Sequence, residues 1–337
     1  MGAEPRVTVC VPTIGRLEYL AATRASIEAQ TFAEFEVLVL DNASADDGRA
    51  LLEDWAARDA RVRVLRVEPR IPMFENFNRG LLAARGDYVT FCHDDDTVAP
   101  ELLARQVAFL DAHPRAGFSG SNYDYIDERG QVIEQRRLVR ATEVWSGLRY
   151  IRALVRSGRN PLTMQSIFYR RAALPAGGID TRLPIHYGDF VFLMRMAESW
   201  DVGLVAESLV QVRRHAAQAS SSMTLSRGIA LRTEVLGAYV DELAARRPHA
   251  RGLVAELRAG LALSHRTGLV WGWLSARDPE EARACARGLG SGPLDVALGA
   301  VLRGLGAIAP ASGARRERLA AAARRLVNRQ PLRGRPL

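Results

Sequence analysis

Four short apolar runs rich in strand-forming residues alternate with helix-patterned segments over about the first 95 residues. The runs are Arg6 to Pro12, Phe35 to Leu40, Arg61 to Val67 and Tyr88 to Cys92. Between them, Leu17 to Gln30 carries apolar residues at helical spacing, a second helix runs through Leu51, Leu52 and Trp55, and Phe74 to Ala84 forms a third. Parallel strands need crossover connections, and continuous apolar strands need cover on both faces. The pattern therefore predicts an α/β fold, a mostly parallel Rossmann-like sheet flanked by helices. The third run alternates Arg with Val or Leu, as expected toward a sheet edge. Ligands of such sheets bind at the carboxyl ends of the strands. Those ends are Pro12–Arg16, Asp41–Asn42 and His93–Asp96, three polar clusters on one rim.

The last of these is the most unusual. His93, Asp94, Asp95 and Asp96 follow directly on a buried strand. Adjacent carboxylates repel, and burying them requires protons or a cation. Hard divalent cations take carboxylate oxygens and bridge them to phosphates. A solvated acidic turn is the plainer alternative.

After a helix at Pro100–Ala112 the alternation weakens. Strands are expected at Gly117–Ile126 and Gly130–Val139 around the turn Asp127–Gly130, with Asp124 and Asp127 belonging to that hairpin. A helix follows at Ser146–Arg156 and a strand at Ser166–Arg170, then a turn at Gly177–Asp180. Gly188–Ser199 reads as a helix opening on Asp189, and Val202–Ala206 and Leu209–Arg213 as two strands. From about residue 226 the pattern is helical and rich in Ala, Arg and Leu.

All 46 basic residues are arginine; the chain has no lysine. That excludes a P-loop lysine, a Schiff-base lysine and a lysine base. The net charge of +8 is local, because residues 301–337 hold nine Arg and one Glu and the rest of the chain balances. The high pI is thus no sign of nucleic-acid binding by the main domain. Arg315–Arg329 could form a basic amphipathic helix on an anionic membrane surface. The three cysteines, Cys10, Cys92 and Cys285, suit free thiols in a reducing compartment. With no signal peptide and no apolar stretch of 18 residues, the expected location is cytoplasmic, with peripheral contact at the inner face of the plasma membrane left open through the tail.

In order along the chain stand Pro12-Thr13-Ile14-Gly15-Arg16, Asp41-Asn42-Ala43-Ser44, Asn76-Phe77-Asn78-Arg79-Gly80-Leu81, Gly86-Asp87-Tyr88-Val89 leading to His93-Asp94-Asp95-Asp96, Gly177-Gly178-Ile179-Asp180, Gly188-Asp189 and Arg213-Arg214-His215. With this order and spacing, residues 6–222 resemble the family 2 glycosyltransferases, nucleotide-sugar enzymes of the GT-A fold. The resemblance implies sugar transfer, with inversion, from a nucleoside diphosphate donor to an acceptor hydroxyl on a glycan, lipid-linked sugar or small molecule. It puts Pro12, Thr13, Gly15 and Arg16 against the nucleotide and Asp41, with Asn42, at the base. Asp95 would ligate Mn²⁺ or Mg²⁺, with His215 approaching from the far side. Asp94 and Asp96 would hold sugar or ribose hydroxyls or assist the metal. Asn76, Asn78 and Arg214 join the donor-binding set, and Asp189 would be the general base. His93 stands where the family commonly has Asp, Gly188 where it commonly has Glu, and Phe77 where Arg is frequent. Near Asp189, Met164–Ser166 and the loops at Ile185–Asp189 are expected to form the acceptor pocket.

A glycosyltransferase domain over 1–222 follows, with a nucleotide-sugar half at about 1–115 and an acceptor half at about 116–222. A helical region at 223–310 and a basic tail at 311–337 complete the chain, and a homo-oligomer is left open. Two other functions compete. Asp94-x-Asp96-Thr97-Val98 resembles the nucleophile motif of haloacid-dehalogenase phosphatases, but it arrives after three earlier strands and without a lysine. A catalytically silent sugar-nucleotide binder would keep the donor site and ignore loss of Asp189.

Overall fold

A computed structural model describes residues 4–15, 17–215, 223–276, 279–289, 296 and 299–300. Arg16 and the basic tail lie outside the described residues, so the expectations placed on them stay as stated. By their contacts the residues divide into two units: 1–151 with 160–218, and 152–159 with 219–337.

The first unit is built on a sheet whose strands are β1 (Val7–Thr13), β2 (Phe35–Asn42), β3 (Val62–Val67), β4 (Tyr88–Phe91), β5 (Thr97–Val98), β6 (Ala116–Ile126), β7 (Val132–Arg136), β8 (Glu143–Trp145), β9 (Ile167–Arg170) and β10 (Asp201–Arg213). Their order is β3-β2-β1-β4-β9-β6-β10-β5, with β7 on β6 and β8 on β10. The first four strands are parallel. β9 is antiparallel to both β4 and β6, which restores β6 and β10 to the direction of β1. The carboxyl ends of β1, β2, β4, β6 and β10 therefore share one rim.

Helices α1 (Leu17–Glu28), α2 (Asp46–Arg58), α3 (Met73–Ala83), α4 (Leu102–Ala112), α5 (Gly147–Ser157) and α6 (Gly188–Ala197) connect the strands. Every residue of β2 is buried, as a strand covered on both faces must be. β3 stands at the end of the sheet order and is mostly half-buried, which its Arg/Val alternation anticipated.

Two expectations are corrected. The segments Val202–Ala206 and Leu209–Arg213 are one strand, not two, because β10 pairs with β6 throughout and absorbs Ala206 and Glu207 by shifting register between Val205 and Ser208. The strand expected at Gly130–Val139 shrinks to Val132–Arg136, since Asp127 Oδ1 accepts from the Arg129 and Gln131 N–H groups and holds Gly130 and Gln131 in the turn.

In the second unit, α7 (Leu225–Arg246), α8 (Arg251–Ser275) and α9 (Pro279–Arg287) pack around Ile229, Leu269, Trp273, Ala282, Cys285 and Ala286. Arg232 donates to the Gly158 carbonyl at 3.0 Å and the Ser264 carbonyl at 3.1 Å, tying residues 152–159 to these helices. Among the described residues, no helix is long and apolar enough to cross a membrane.

One glycine sets how close two rim loops come. Gly15 follows β1 with φ +77°, and a Cβ there would lie 2.7 Å from Ser44 Cβ, in the loop after β2. Gly15→Ala is thus expected to destabilise the domain by about 1–3 kcal/mol, read from urea unfolding. A change of a few tenths would show that the two loops do not need this approach.

Candidate functional site

Asp94, Asp95 and Asp96 are 4%, 7% and 1% exposed, so the solvated-turn alternative fails on burial. Each carboxylate is held differently. Asp94 Oδ2 accepts from Thr13 Oγ1 at 2.6 Å and the Ile14 N–H at 3.4 Å, joining the ends of β4 and β1. Thr13 Oγ1 in turn accepts from the Gly15 N–H at 2.9 Å. Asp95 Oδ2 lies 2.9 Å from His215 Nε2. Asp96 Oδ1 accepts from the Arg213 N–H at 2.8 Å. Burial, then the neighbouring Asp95 charge, push the Asp96 carboxyl well above the usual carboxylate range.

Arg213, at the end of β10, fastens this turn. Its side chain is 4% exposed, and its Nε donates to the Asp95 carbonyl at 2.8 Å. Its Nη1 donates to the Asp127 and Glu128 carbonyls at 2.8 and 3.2 Å, and its guanidinium lies over the Tyr19 ring. The sequence pair Arg213-Arg214 gave no way to rank the two. Arg214 is the exposed one: it pairs with Glu134 Oε2 at 2.9 Å and sits 3.5 Å from the Tyr125 ring centroid.

One atom each of His93, Asp95 and Asp96 lies within 4.8 Å of the others, a group with the donors and spacing to hold a metal ion. Carboxylates with imidazole suit a hard or borderline divalent cation, and buried carboxylates this close gain from one. The donor set therefore fits Mn²⁺ or Mg²⁺. His93 is not among the metal ligands that the family resemblance implies; its place at the family's usual acidic position is the signal that points to it. Its Nδ1 lies 3.2 Å from Gln165 Nε2.

The other expected donor-site residues reach the same rim, with their polar atoms engaged. Asp41, 1% exposed, accepts from the Ser44 N–H at 3.0 Å and Arg66 Nη1 at 2.6 Å. Asn42 bonds both the N–H and the carbonyl of Ile71 at 2.8 Å. Asn76 donates to the Leu40 carbonyl at 3.1 Å and accepts from Arg79. Asn78 bonds both backbone groups of Ile179 at 2.8 Å, which is why Gly178 beside it has φ +63° and no room for a Cβ. These side chains brace loops around the rim. Pro12, half-buried, completes β1 beside Thr13.

Asp189 lies in the first turn of α6. A Cβ on Gly188 would sit 2.3 Å from the Phe74 ring, so glycine lets the helix start against α3. Burial pushes the Asp189 carboxyl up to about 7, against the hydrogen bonds of the Phe190 and Asp189 N–H groups that lower it. The helix terminus alone would have lowered it; desolvation prevails. Asp189 lines a cavity of about 330 Å³ with His93, Met164, Gln165, Ile185 and Phe190, which brings the acid turn and the expected acceptor loops to one space. Asp180, by contrast, is held near 2 by Arg182 in its turn.

The polar groups thus gather at the carboxyl ends of the parallel strands, where α/β sheets bind their ligands. Residues 8–174 match the model for glycosyl transferase family 2, and this part of the chain belongs to that family. An uncharacterised Mycobacterium tuberculosis protein is 29% identical over 236 residues, covering 66% of this chain and 72% of its own. Of the next two curated relatives the chain spans only 12% and 10%. In fold it is similar to Staphylococcus aureus TarS 1–349, solved with UDP-GlcNAc, at TM-score 0.60 and 20% identity over 84% of this chain and 79% of that one. The mannosyltransferase PcManGT from Pyrobaculum calidifontis, solved with GDP-Man and Mn²⁺, gives TM-score 0.54 and 18% identity over 97% and 88%.

The Asp189 shift has a consequence for stability. Its carboxyl binds its proton more tightly folded, with a pKa of about 7, than at its ordinary 3.8. The folded state gains from this fully below about pH 4 and loses it as pH rises to about 7. Asp189→Asn is expected to raise Tm over wild type at pH 8 and to change it little at pH 4. Equal shifts at both pH values would show that Asp189 titrates normally.

Proposed function

We propose that the domain is an inverting glycosyltransferase that moves a sugar from a nucleoside diphosphate donor to an acceptor hydroxyl. The observation that carries this is the shared cavity: Asp189, poised near neutral pH, faces the same space as His93 of the acid turn. An alcohol is a weak nucleophile, and a carboxylate with a pKa near the working pH is well matched to take its proton. As Asp189 takes that proton, the acceptor oxygen bonds to the anomeric carbon. The bond from that carbon to the diphosphate breaks on the opposite face, and the nucleoside diphosphate leaves with the electron pair.

Asp95, with His215 and its neighbours in the turn, would hold Mn²⁺ or Mg²⁺. Such a cation stabilises negative charge gathering on the leaving diphosphate. Thr13 fixes Asp94, and Arg213 fixes the backbone of Asp95 and the carboxylate of Asp96, so the turn keeps its shape as the donor binds. The ends of β1 and β2 would cradle the nucleotide, with Asp41 and Asn42 setting the loops that meet the base. TarS and PcManGT were solved with nucleotide sugars, which supports a donor of this kind. The phosphatase alternative would need Asp94 as its nucleophile, but Asp94 Oδ2 is committed to Thr13 and Ile14. A silent binder would have no use for a carboxyl raised toward 7.

Thermal stabilisation by UDP, dTDP, GDP and CDP, with and without Mn²⁺, tests the donor site by mass action. One nucleotide is expected to raise Tm in a Mn²⁺-dependent way, and Asp95→Ala to abolish the effect. Stabilisation by phosphate or vanadate alone would sink the proposal. For the base, Asp189→Asn is expected to lower kcat by about 10²–10⁴-fold. Wild-type kcat should climb up to about pH 7 and level off above it. A rate indifferent to Asp189 would favour the silent binder.

A further inference from the structure

The walls of the Asp189 cavity also constrain what it can accept. Asn160 is one of them. Its Oδ1 accepts from the Tyr150 hydroxyl at 2.8 Å and from the Leu162 N–H at 3.0 Å. Two donors on that atom fix which end of the amide is oxygen. Tyr150 is wholly buried, and burial, then the charge of Asp189, hold its hydroxyl well above its usual range, so it remains a donor. The other end, Nδ2, is buried and has no protein partner. Nor does Asp189 Oδ1. A buried amide donor and a buried carboxylate oxygen, both unpaired and both on residues that line one cavity, are each costly, and a hydroxyl-bearing ligand that reaches them relieves both.

The remaining walls argue against a charged ligand. Tyr123 and Tyr125 meet edge to face at 5.4 Å, and with Phe77 and Phe190 they give the cavity aromatic sides. Arg214 stacks on Tyr125 but spends its charge on Glu134. Among the described residues no arginine lines the cavity, in a chain with 46 arginines and no lysine. A phosphate or carboxylate brought here would face the Asp189 carboxylate with no arginine in the cavity walls to offset the repulsion. At about 330 Å³ the space is at the small end of ligand pockets, which run from about 300 to 1,000 Å³.

We infer that this cavity is an acceptor subsite for an uncharged sugar or polyol with two adjacent hydroxyls, one giving its proton to Asp189 and the neighbouring oxygen accepting from Asn160 Nδ2. Asn160 is then a specificity-determining residue. Phosphate-bearing acceptors, such as a lipid phosphate, are excluded from it. The inference rests on the glycosyltransferase reading and narrows its acceptor.

The test uses the full chain with Mn²⁺ and either UDP-GlcNAc or GDP-mannose, following release of the nucleoside diphosphate. Methyl pyranosides of glucose, galactose and mannose, ribitol, glycerol and dodecyl phosphate are offered as acceptors. At least one of the neutral compounds is expected to stimulate release, and dodecyl phosphate is not. Removing the hydroxyl next to the reacting one should raise the wild-type acceptor KM by about tenfold or more, with a smaller change in kcat. Asn160→Leu should raise the KM of the parent acceptor similarly and lose most of the discrimination against the deoxy analogue. Should that variant fail to fold, the wild-type comparison of parent and deoxy acceptor decides alone. Stimulation by dodecyl phosphate, by none of the neutral acceptors, or equal use of parent and deoxy compounds overturns the subsite. Absence of any nucleotide-dependent rise in Tm overturns the transferase reading itself.

Discussion

The guanidinium of Arg213 is the group on which the rim depends. Three carboxylates in a row, all buried, would drive the turn after β4 open unless something offset their repulsion. Arg213 fastens the turn against that from the end of a different strand. It bonds the backbone of Asp95, its N–H holds the carboxylate of Asp96, and it also grips the hairpin carbonyls of Asp127 and Glu128. Arginine suits this position better than lysine, because a buried ammonium sheds its proton readily and a guanidinium does not. The positive charge persists across the working pH range, so Asp189 can titrate while the acid turn keeps its partner.

Around that centre the rim is a set of side chains that fasten loops. Asn42 holds the loop at Ile71, Asn78 holds the loop at Ile179, and Thr13 holds Asp94. Bidentate amide bonds to a loop's N–H and carbonyl replace the pairing that irregular backbone would otherwise lack. The donor-site residues named from the family pattern thus divide in two. Some present chemistry to the rim, and others shape it.

Much of this architecture could be read before any coordinates. The strands β1 to β4 and helices α1, α3 and α4 fall within two residues of their expected limits, and α2 runs through the Leu51, Leu52 and Trp55 expected of it, because long periodic runs and Gly or Pro breaks are local signals. β5 and β8, at two and three residues, carry no such signal; they exist because β10 offers partners. The antiparallel direction of β9 is likewise a tertiary fact. In the site, the acid turn and Asp189 were visible as residue types at strand and helix ends. That Asp189 titrates near 7 was not, since it depends on burial against α3 and the cavity walls. Nor could the sequence tell Arg213 from Arg214, or show that Asn160 joins Tyr150 beside Asp189.

The bulge in β10 has a consequence beyond pairing. Side chains on a strand alternate between faces, so the two register shifts between Val205 and Val210 together set the phase of everything after them. With that phase, Arg213 turns inward to the backbone of the acid turn and Arg214 turns out to Tyr125. One residue more or fewer in the bulge would exchange them, and the acid turn would face the wrong arginine. The number of residues that β10 leaves unmatched between Val205 and Val210 is thus what assigns the two neighbouring arginines their separate tasks.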